Sequence, residues 1–476
     1  MKGIGRAAVM IGVITVVARA AGFGRQLVFA HTVGPTCLGT AYTTANMVPN
    51  IIYDVVLGGA LSSAVVPVLA GRIGETADAR KISSALLTWT VLLLAPVSVI
   101  VAIASGPLAS VLLDGAEGCS RSAVDAVGGR MLAVFAPQIL LYGIAVVLYG
   151  ILQSHRRFAA PALAPLLSSM VVVAAYLWFG RVGGGYVNGR IRSLPLRYEM
   201  ILSIGTTLGV LAMVLTAVVP FARLRLGLRP ALRFPPGVAP RVRRLAAAGV
   251  LTLIAQDTST VAVVVLANHF GGSGALVVYS FAWAVFEVPY AVLAVPIATT
   301  AFPELSSRSG ADVNDTSARS TRATLLASCL GAALLAGASG PLSQIFESHA
   351  GHRASLLALS LVAFAPGLIG YGLAASLARV LYATGHSRAP ALAVTAGWVL
   401  VMAADAAIVP FVPQRLVVAY LGIGTTIGLT VAGLVLIVLV RRSRGPAALA
   451  GLGRAAGSGL AGAAAAIVVG LVISGV

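Results

Sequence analysis

Residues 135–164 read FAPQILLYGIAVVLYGILQSHRRFAAPALA, and residues 364–393 read FAPGLIGYGLAASLARVLYATGHSRAPALA. The stretches align without a gap. Phe135 falls on Phe364, Pro137 on Pro366, Tyr142 on Tyr371, Gly143 on Gly372 and Pro161 on Pro390. Each is a long apolar run, a short basic turn and the start of another apolar run, so one helix pair is encoded twice. A fainter match joins Ala30, Gly34 and Tyr42 to Ala267, Gly271 and Tyr279.

Similar apolar runs recur along all 476 residues, of which 58% are hydrophobic and only 10% charged. That composition excludes a soluble globular domain. The reading is an all-α polytopic membrane protein of about thirteen spans. They lie near 7–31, 41–70, 84–106, 130–152, 160–180, 200–221, 245–268, 275–302, 322–340, 355–382, 389–411, 417–440 and 454–475. The repeated pair is the fourth and fifth spans, then the tenth and eleventh. Two six-helix bundles follow: an N-terminal lobe over 1–222 and a C-terminal lobe over 245–440. The basic, proline-rich stretch 223–244 links them and reads as a hinge held at the anionic leaflet. A basic loop and one extra helix occupy 441–476.

Lys and Arg crowd one side of this arrangement. Lys2 and Arg6 precede the first span, and further cations fill the connections at 72–81, 156–157, 223–244, 308–322 and 441–454. The positive-inside rule places the N-terminus in the cytoplasm, and an odd span count places the C-terminus outside. The basic start MKGIGR runs directly into the first span, which reads as an uncleaved helix. The net charge of +19 thus reflects orientation rather than nucleic-acid binding. The three cysteines show no metal spacing; Cys37 and Cys119 both fall on the predicted outer side, where a disulfide can form. No HExxH, GxSxG or P-loop pattern is present, no cofactor is indicated, and the chain reads as a transporter rather than an enzyme.

Six spans separate the repeats, so they share one orientation. Parallel repeats are a pattern of alternating-access transporters, which bind substrate between their halves. Charged residues inside the spans point to where. Arg19 and Arg25 lie in VITVVARAAGFGRQLVFA (13–30), where an unpaired Arg at the helix centre costs about 2.5–3.5 kcal/mol. Six residues place them on different faces of a straight helix, and Gly22 and Gly24 offer a bend that brings them to one cavity. The planar guanidinium fork suits phosphate. The plainer alternative is that Arg25 snorkels or pairs with Asp54.

In the second span Asn46, Asn50 and Asp54 recur every fourth residue, a polar stripe for a cavity or for hydrogen bonds between helices. Pro49 and the pair Gly58 and Gly59 loosen that helix. Asp257 and Asp405 are isolated carboxylates; with nearby hydroxyls such as Thr425 and Thr426 they are candidates for sodium or proton coupling, or a structural pair. Glu287, in FEVPYAVLAVP, stands before Pro289 at the cavity entrance. Arg379 reads as a snorkelling residue.

The runs ARAAGFGRQLVFAHTVG and NMVPNIIYDVVLGGALSSAVVPVLA resemble the N-terminal signature of the MurJ (MviN) lipid II flippases. LYGILQSHRRFAAPALAPLL, its partner ARVLYATGHSRAPAL, and FEVPYAVLAVPIATTAFPELS resemble further segments of that family, in order over about 1–440. The resemblance implies a member of the MOP exporter superfamily. It would carry lipid II, the undecaprenyl-diphosphate-linked peptidoglycan precursor, from the inner to the outer leaflet for cell-wall synthesis. It further implies that Arg19 and Arg25 meet the diphosphate in a cationic cavity, with coupling to Na+, H+ or the membrane potential. Three positions depart from the family pattern. Tyr53 and Ala284 stand where it carries cavity arginines, and Thr40 stands for an aspartate; Glu287 keeps the usual carboxylate. The alternatives are a flippase for another polyprenyl-diphosphate glycan, a multidrug exporter of the same superfamily, or a non-transporting scaffold for cell-wall or division proteins.

Overall fold

A computed structural model of the chain describes residues 2–55, 76–155, 157–186, 191–224, 226–235, 238–307, 311–346, 354–386 and 388–474. Among these every regular element is helical. Eleven stretches of the described residues are long and apolar enough to cross a membrane. Their outward side chains are apolar, Trp178, Leu93 and Ile100 being about two-thirds exposed, which suits contact with lipid rather than water (61%, 60% and 63%). The second half of the second expected span, with Gly58 and Gly59, lies outside the described residues. The chain divides into two compact units, Met1–Asp257 and Thr258–Val476.

The first unit holds α1 (Lys2–Thr32), α2 (Cys37–Val55), α3 (Thr76–Ile103), α4 (Ser105–Leu112), α5 (Arg121–Phe135), α6 (Pro137–Ser154), α7 (Ala159–Gly183), α8 (Leu196–Ala222) and the start of α9 (Val238–Gly271). In lipid no hydrophobic force separates one apolar helix from another, so close approach through small residues holds the bundle. Gly205 and Gly209 of α8 sit directly on Ala175 and Val172 of α7, where a Cβ would collide. A buried hydroxyl hub ties four helices together. Tyr42 on α2 shares hydrogen bonds with Tyr176 on α7 (2.7 Å) and Thr206 on α8 (2.6 Å). Phe29 of α1 packs on both tyrosine rings, with centroids at 5.1 and 5.2 Å.

The second unit holds the rest of α9, then α10 (Ala275–Pro289), a π-helical turn at Tyr290–Ala294, α11 (Val295–Ser307), α12 (Ala311–Gly337), α13 (Ser339–Phe346), α14 (Ala354–Phe364), α15 (Gly367–Ala383), α16 (Arg388–Ile408), α17 (Val417–Arg444) and α18 (Leu452–Ser474). Its core is aromatic: Trp283, Phe286, Phe364, Tyr371 and Trp398 contact one another in a chain. Gly370 of α15 meets the backbone of α17, with a Cβ position only 2.5 Å from the Leu429 carbonyl oxygen. The extra C-terminal helix α18 lies along α12, Gly459 against Cys329.

Spans expected as single helices are broken, and the breaks repeat. α5 ends at Phe135 and α6 restarts at Pro137; α14 ends at Phe364, with Pro366 just before α15. Proline has no N–H to donate, so the helical ladder breaks at the same place in each repeat, beside the fully buried Phe135 and Phe364. A second matched break escaped the reading of the sequence. α4 begins SGPL at Ser105 and α13 begins SGPL at Ser339, each directly after a one-residue break in the preceding helix. The offset differs slightly from that of the first match, which hid it.

Two expected boundaries also move. α5 begins at Arg121 rather than near 130, and α12 at Ala311 rather than near 322. Both starts are polar and read as loops. In α12 the polar groups are inside: Ser317, Thr321 and Thr324 have no exposed surface, and Thr324 donates back to Ser320 O at 2.9 Å.

Candidate functional site

Both arginines of the first span lie on α1, which is helical without interruption from Lys2 to Thr32. Gly22 and Gly24 therefore do not break it, and both face open space. Arg19 is exposed and Arg25 half-buried. Neither has an ion-pair partner among the described residues, and no bridge joins Arg25 to Asp54. Arg25 instead lies within electrostatic reach of the phenols of Tyr42, Tyr142 and Tyr176. An uncompensated guanidinium at this depth is available to an anion from outside the protein.

The stripe on α2 divides into different roles. Asn50 is used internally: it donates to Asn46 O at 2.7 Å and accepts from the Tyr142 hydroxyl at 3.1 Å. Asn46 keeps a buried side-chain oxygen with no partner. Asp54 is exposed, in electrostatic reach of Asp257 on α9. Tyr53, one of the three positions that depart from the pattern of the resemblance, packs its ring on that of Tyr142 at 4.3 Å, tilted by 35°.

The isolated carboxylates are both buried. Asp257 is 5% exposed, with one oxygen unpartnered. Asp405 is 1% exposed and neither of its oxygens has a partner. Gly424 of α17 faces it so closely that a Cβ there would strike the Asp405 Oδ1. Tyr279 of α10 lies in electrostatic reach of Asp405, and Thr425, also buried, donates its hydroxyl back to Leu421 O at 2.9 Å. Thr426, paired with these carboxylates from sequence, faces elsewhere: its hydroxyl donates to Ala363 O at 2.8 Å, and its side chain packs on Gly367. Adjacent helix positions differ by about 100°, so Gly424, Thr425 and Thr426 point three different ways, and it is Gly424 that faces Asp405. No group of three or more His, Cys, Asp or Glu able to hold a metal occurs among the described residues.

Glu287 is exposed near the end of α10, two residues before Pro289, and the π turn follows at once. Such turns mark functional sites in helices. Arg379 returns a hydrogen bond to its own helix, at Ala375 O (2.7 Å). One buried charge was missed altogether: Glu199 of α8 is fully buried and gripped by Arg130 of α5.

With this geometry in place, a model of the family described as lipid II flippase MurJ matches residues 29–476. The chain belongs to the MurJ family. A probable lipid II flippase MurJ of Synechocystis is 27% identical over 243 residues, covering 50% of this chain and 44% of that protein. The lipid II flippase MurJ of Burkholderia cenocepacia is 26% identical over 175 residues, covering 36% of this chain and 33% of that one. The alignments with these two relatives thus span less than half of their length. A solved lipid II flippase MurJ in an inward closed conformation superposes with a TM-score of 0.73 at 20% identity, covering 98% of this chain and 97% of that one. An inward-facing multidrug transporter of the MATE family and MOP superfamily gives a TM-score of 0.72 at 14% identity, with 91% and 98% covered. At such identities these likenesses concern the fold, and the fold is that shared by MurJ and the MATE transporters.

Proposed function

We propose that this MurJ-family chain is a flippase moving lipid II from the inner to the outer leaflet of the bacterial plasma membrane, by alternating access of its two repeats. The observation that carries this reading is a pair of membrane-embedded arginines, Arg19 and Arg25, with no carboxylate partner among the described residues. A diphosphate supplies the missing negative charge, and charge-assisted hydrogen bonds to a guanidinium fork are about twice as strong as neutral ones. Asp405, faced by Gly424 and with both its oxygens unpartnered, serves as the site of a coupling cation, Na+ or H+. Asn46 and Asp54 supply polar groups for the substrate in the first unit, and Glu287 does so in the second.

The family name supports peptidoglycan precursor as the substrate. A cavity holding cations would repel the cationic amphiphiles that multidrug exporters carry. The test is complementation. In a strain depleted of its own lipid II flippase, the wild-type chain should restore growth and outer-leaflet exposure of lipid II. Arg19→Ala and Arg25→Ala should each abolish both while the protein still inserts. Normal growth and exposure with both alanines present would overturn the proposal.

A further inference from the structure

The basic linker after α8 has a seat. Gly227 has a positive φ of 58°, the left-handed conformation in which glycine is least strained, and lets the chain turn back along α3. There the extended backbone of 228–235 meets a ladder of polar groups on one face of α3. The Arg229 N–H donates to Ser84 Oγ (3.3 Å), the Ala231 N–H donates to Thr88 Oγ1 (3.1 Å), and Trp89 Nε1 donates to Leu232 O (3.1 Å). Thr88 serves both sides, since its own hydroxyl proton goes to Ser84 O at 2.8 Å. Beneath, Leu224, Leu226 and Phe234 pack on a buried cluster of Ile82, Leu86, Val147 and Ile151. The strap is therefore part of the first unit, held by backbone and apolar contacts that leave Arg223, Arg229 and Arg233 exposed.

Those side chains, Arg223, Arg229 and Arg233, are exposed. The same end of the unit adds Arg80 and Lys81, one turn before Ser84, and Arg157, whose guanidinium donates to Pro220 O at 2.9 Å. No Asp or Glu occurs in 151–160 or 217–235, so the arginines of those two segments have no acid beside them in sequence, whereas Asp78 stands two residues before Arg80. Leu232 is 59% and Trp89 40% exposed among these cations, the mixture of apolar, indole and basic groups found at a membrane–water boundary.

Which boundary follows from the far end of the unit. There Cys37 and Cys119 form a disulfide, with Cα atoms 5.7 Å apart. Disulfides persist on the oxidising side of a bacterial membrane, so the strap end faces the cytoplasm, independently of any charge rule. The cytoplasmic leaflet is the anionic one.

We propose that the strap at 223–235, seated on α3, is a binding surface for the phosphate headgroups of anionic phospholipids of the cytoplasmic leaflet. The phosphodiester lies across Arg229, Arg233 and Arg223, with Arg157, Arg80 and Lys81 around it and Leu232 reaching the acyl boundary. The surface is separate from Arg19 and Arg25 and needs no translocation, so its test reads binding alone.

The test uses the full-length chain in mixed micelles of phosphatidylcholine with graded phosphatidylglycerol, bound lipid being counted by native mass spectrometry. Wild type should retain phosphatidylglycerol over phosphatidylcholine, less so as salt rises. The triple change R223Q/R229Q/R233Q should weaken retention by roughly fivefold per cation, about a hundredfold in all. Ser84→Ala with Thr88→Val unseats the strap without altering any charge and should weaken it severalfold. Arg441→Gln with Arg442→Gln, both exposed in the second unit, should leave it unchanged. Equal retention of the two lipids by wild type would overturn the proposal, and that arm needs no variant to fold. So would unchanged retention in the triple variant, or retention that follows total charge wherever it is removed.

Discussion

Arg130 on α5 holds both carboxylate oxygens of Glu199 on α8, through Nε at 3.1 and 3.2 Å and Nη2 at 2.7 Å, and Glu199 has no exposed surface. Among the described residues no other cation pairs with the acid. Removing the arginine alone strands a buried carboxylate, which costs about 3–5 kcal/mol when the pair is fully buried. Arg130 is itself 46% exposed, so the low end of that range applies. Arg130→Ala should lower the thermal midpoint in detergent by several degrees, and adding Glu199→Gln should recover much of the loss. A double variant no better than the single one would show that the guanidinium matters for packing rather than charge.

The disulfide between Cys37 and Cys119 closes a long loop, 82 residues apart in sequence, across the start of α2 and the connection before α5. Such a link stabilises by about 2–4 kcal/mol, mostly by restricting the unfolded chain. Reductant, or the change C37S/C119S, should reduce thermal stability accordingly. Thiol labelling gives a second readout. Cys329 is buried and should resist a maleimide, so the native oxidised protein should take up no label. Labelling at Cys37 without reductant would mean that the bond is absent.

Much of the architecture was legible because lipid imposes simple rules. Apolar runs and the match of Phe135 to Phe364 needed only length and period to interpret. The boundaries of α5 and α12 were not legible. Their first turns carry polar residues that look like loop, and only the packed helix shows that Ser317 and Thr321 point inward. Thr425 and Thr426 show the same limit in the site. Sequence suggests two hydroxyls for Asp405, but the rotation of α17 turns Gly424 to it instead, and small-residue contacts such as Gly428 against Val401 accompany that rotation. Arg130 and Glu199 were invisible as a pair because nothing in the sequence brings α5 beside α8.

The two glycines between the arginines give a direct test of how α1 works. Gly22 and Gly24 meet nothing within 4 Å of an added Cβ, so alanine fits at both. Alanine also favours a helix interior by about 1 kcal/mol per site. G22A/G24A should therefore insert normally and be as stable as wild type or more so. If bending at these glycines brings Arg19 and Arg25 to one diphosphate, complementation of a flippase-depleted strain should nonetheless fall. Full complementation by a stable G22A/G24A protein would show that a straight α1 suffices.

Asp405 and Gly424 make the sharpest prediction about coupling. A buried carboxylate with two unpartnered oxygens is costly unless a proton or cation occupies it, and Gly424 leaves it just enough room. Binding to the folded state alone stabilises it by about 2.7 kcal/mol at a hundredfold excess over Kd. If Na+ is the occupant, the thermal midpoint of the wild type should climb with Na+ but not with an equal concentration of a large organic cation. Asp405→Asn removes the charge without changing shape, so it should fold, match or exceed wild-type stability in the absence of Na+, and lose the response. Gly424→Ala drives a methyl group against Oδ1 and should lose the response while keeping the acid. Thr426→Val should keep it, because that hydroxyl serves Ala363 instead. A Na+ response that survives Asp405→Asn would remove this residue from the coupling site. A wild type with no Na+ response at any concentration would leave the proton as the only occupant consistent with the geometry.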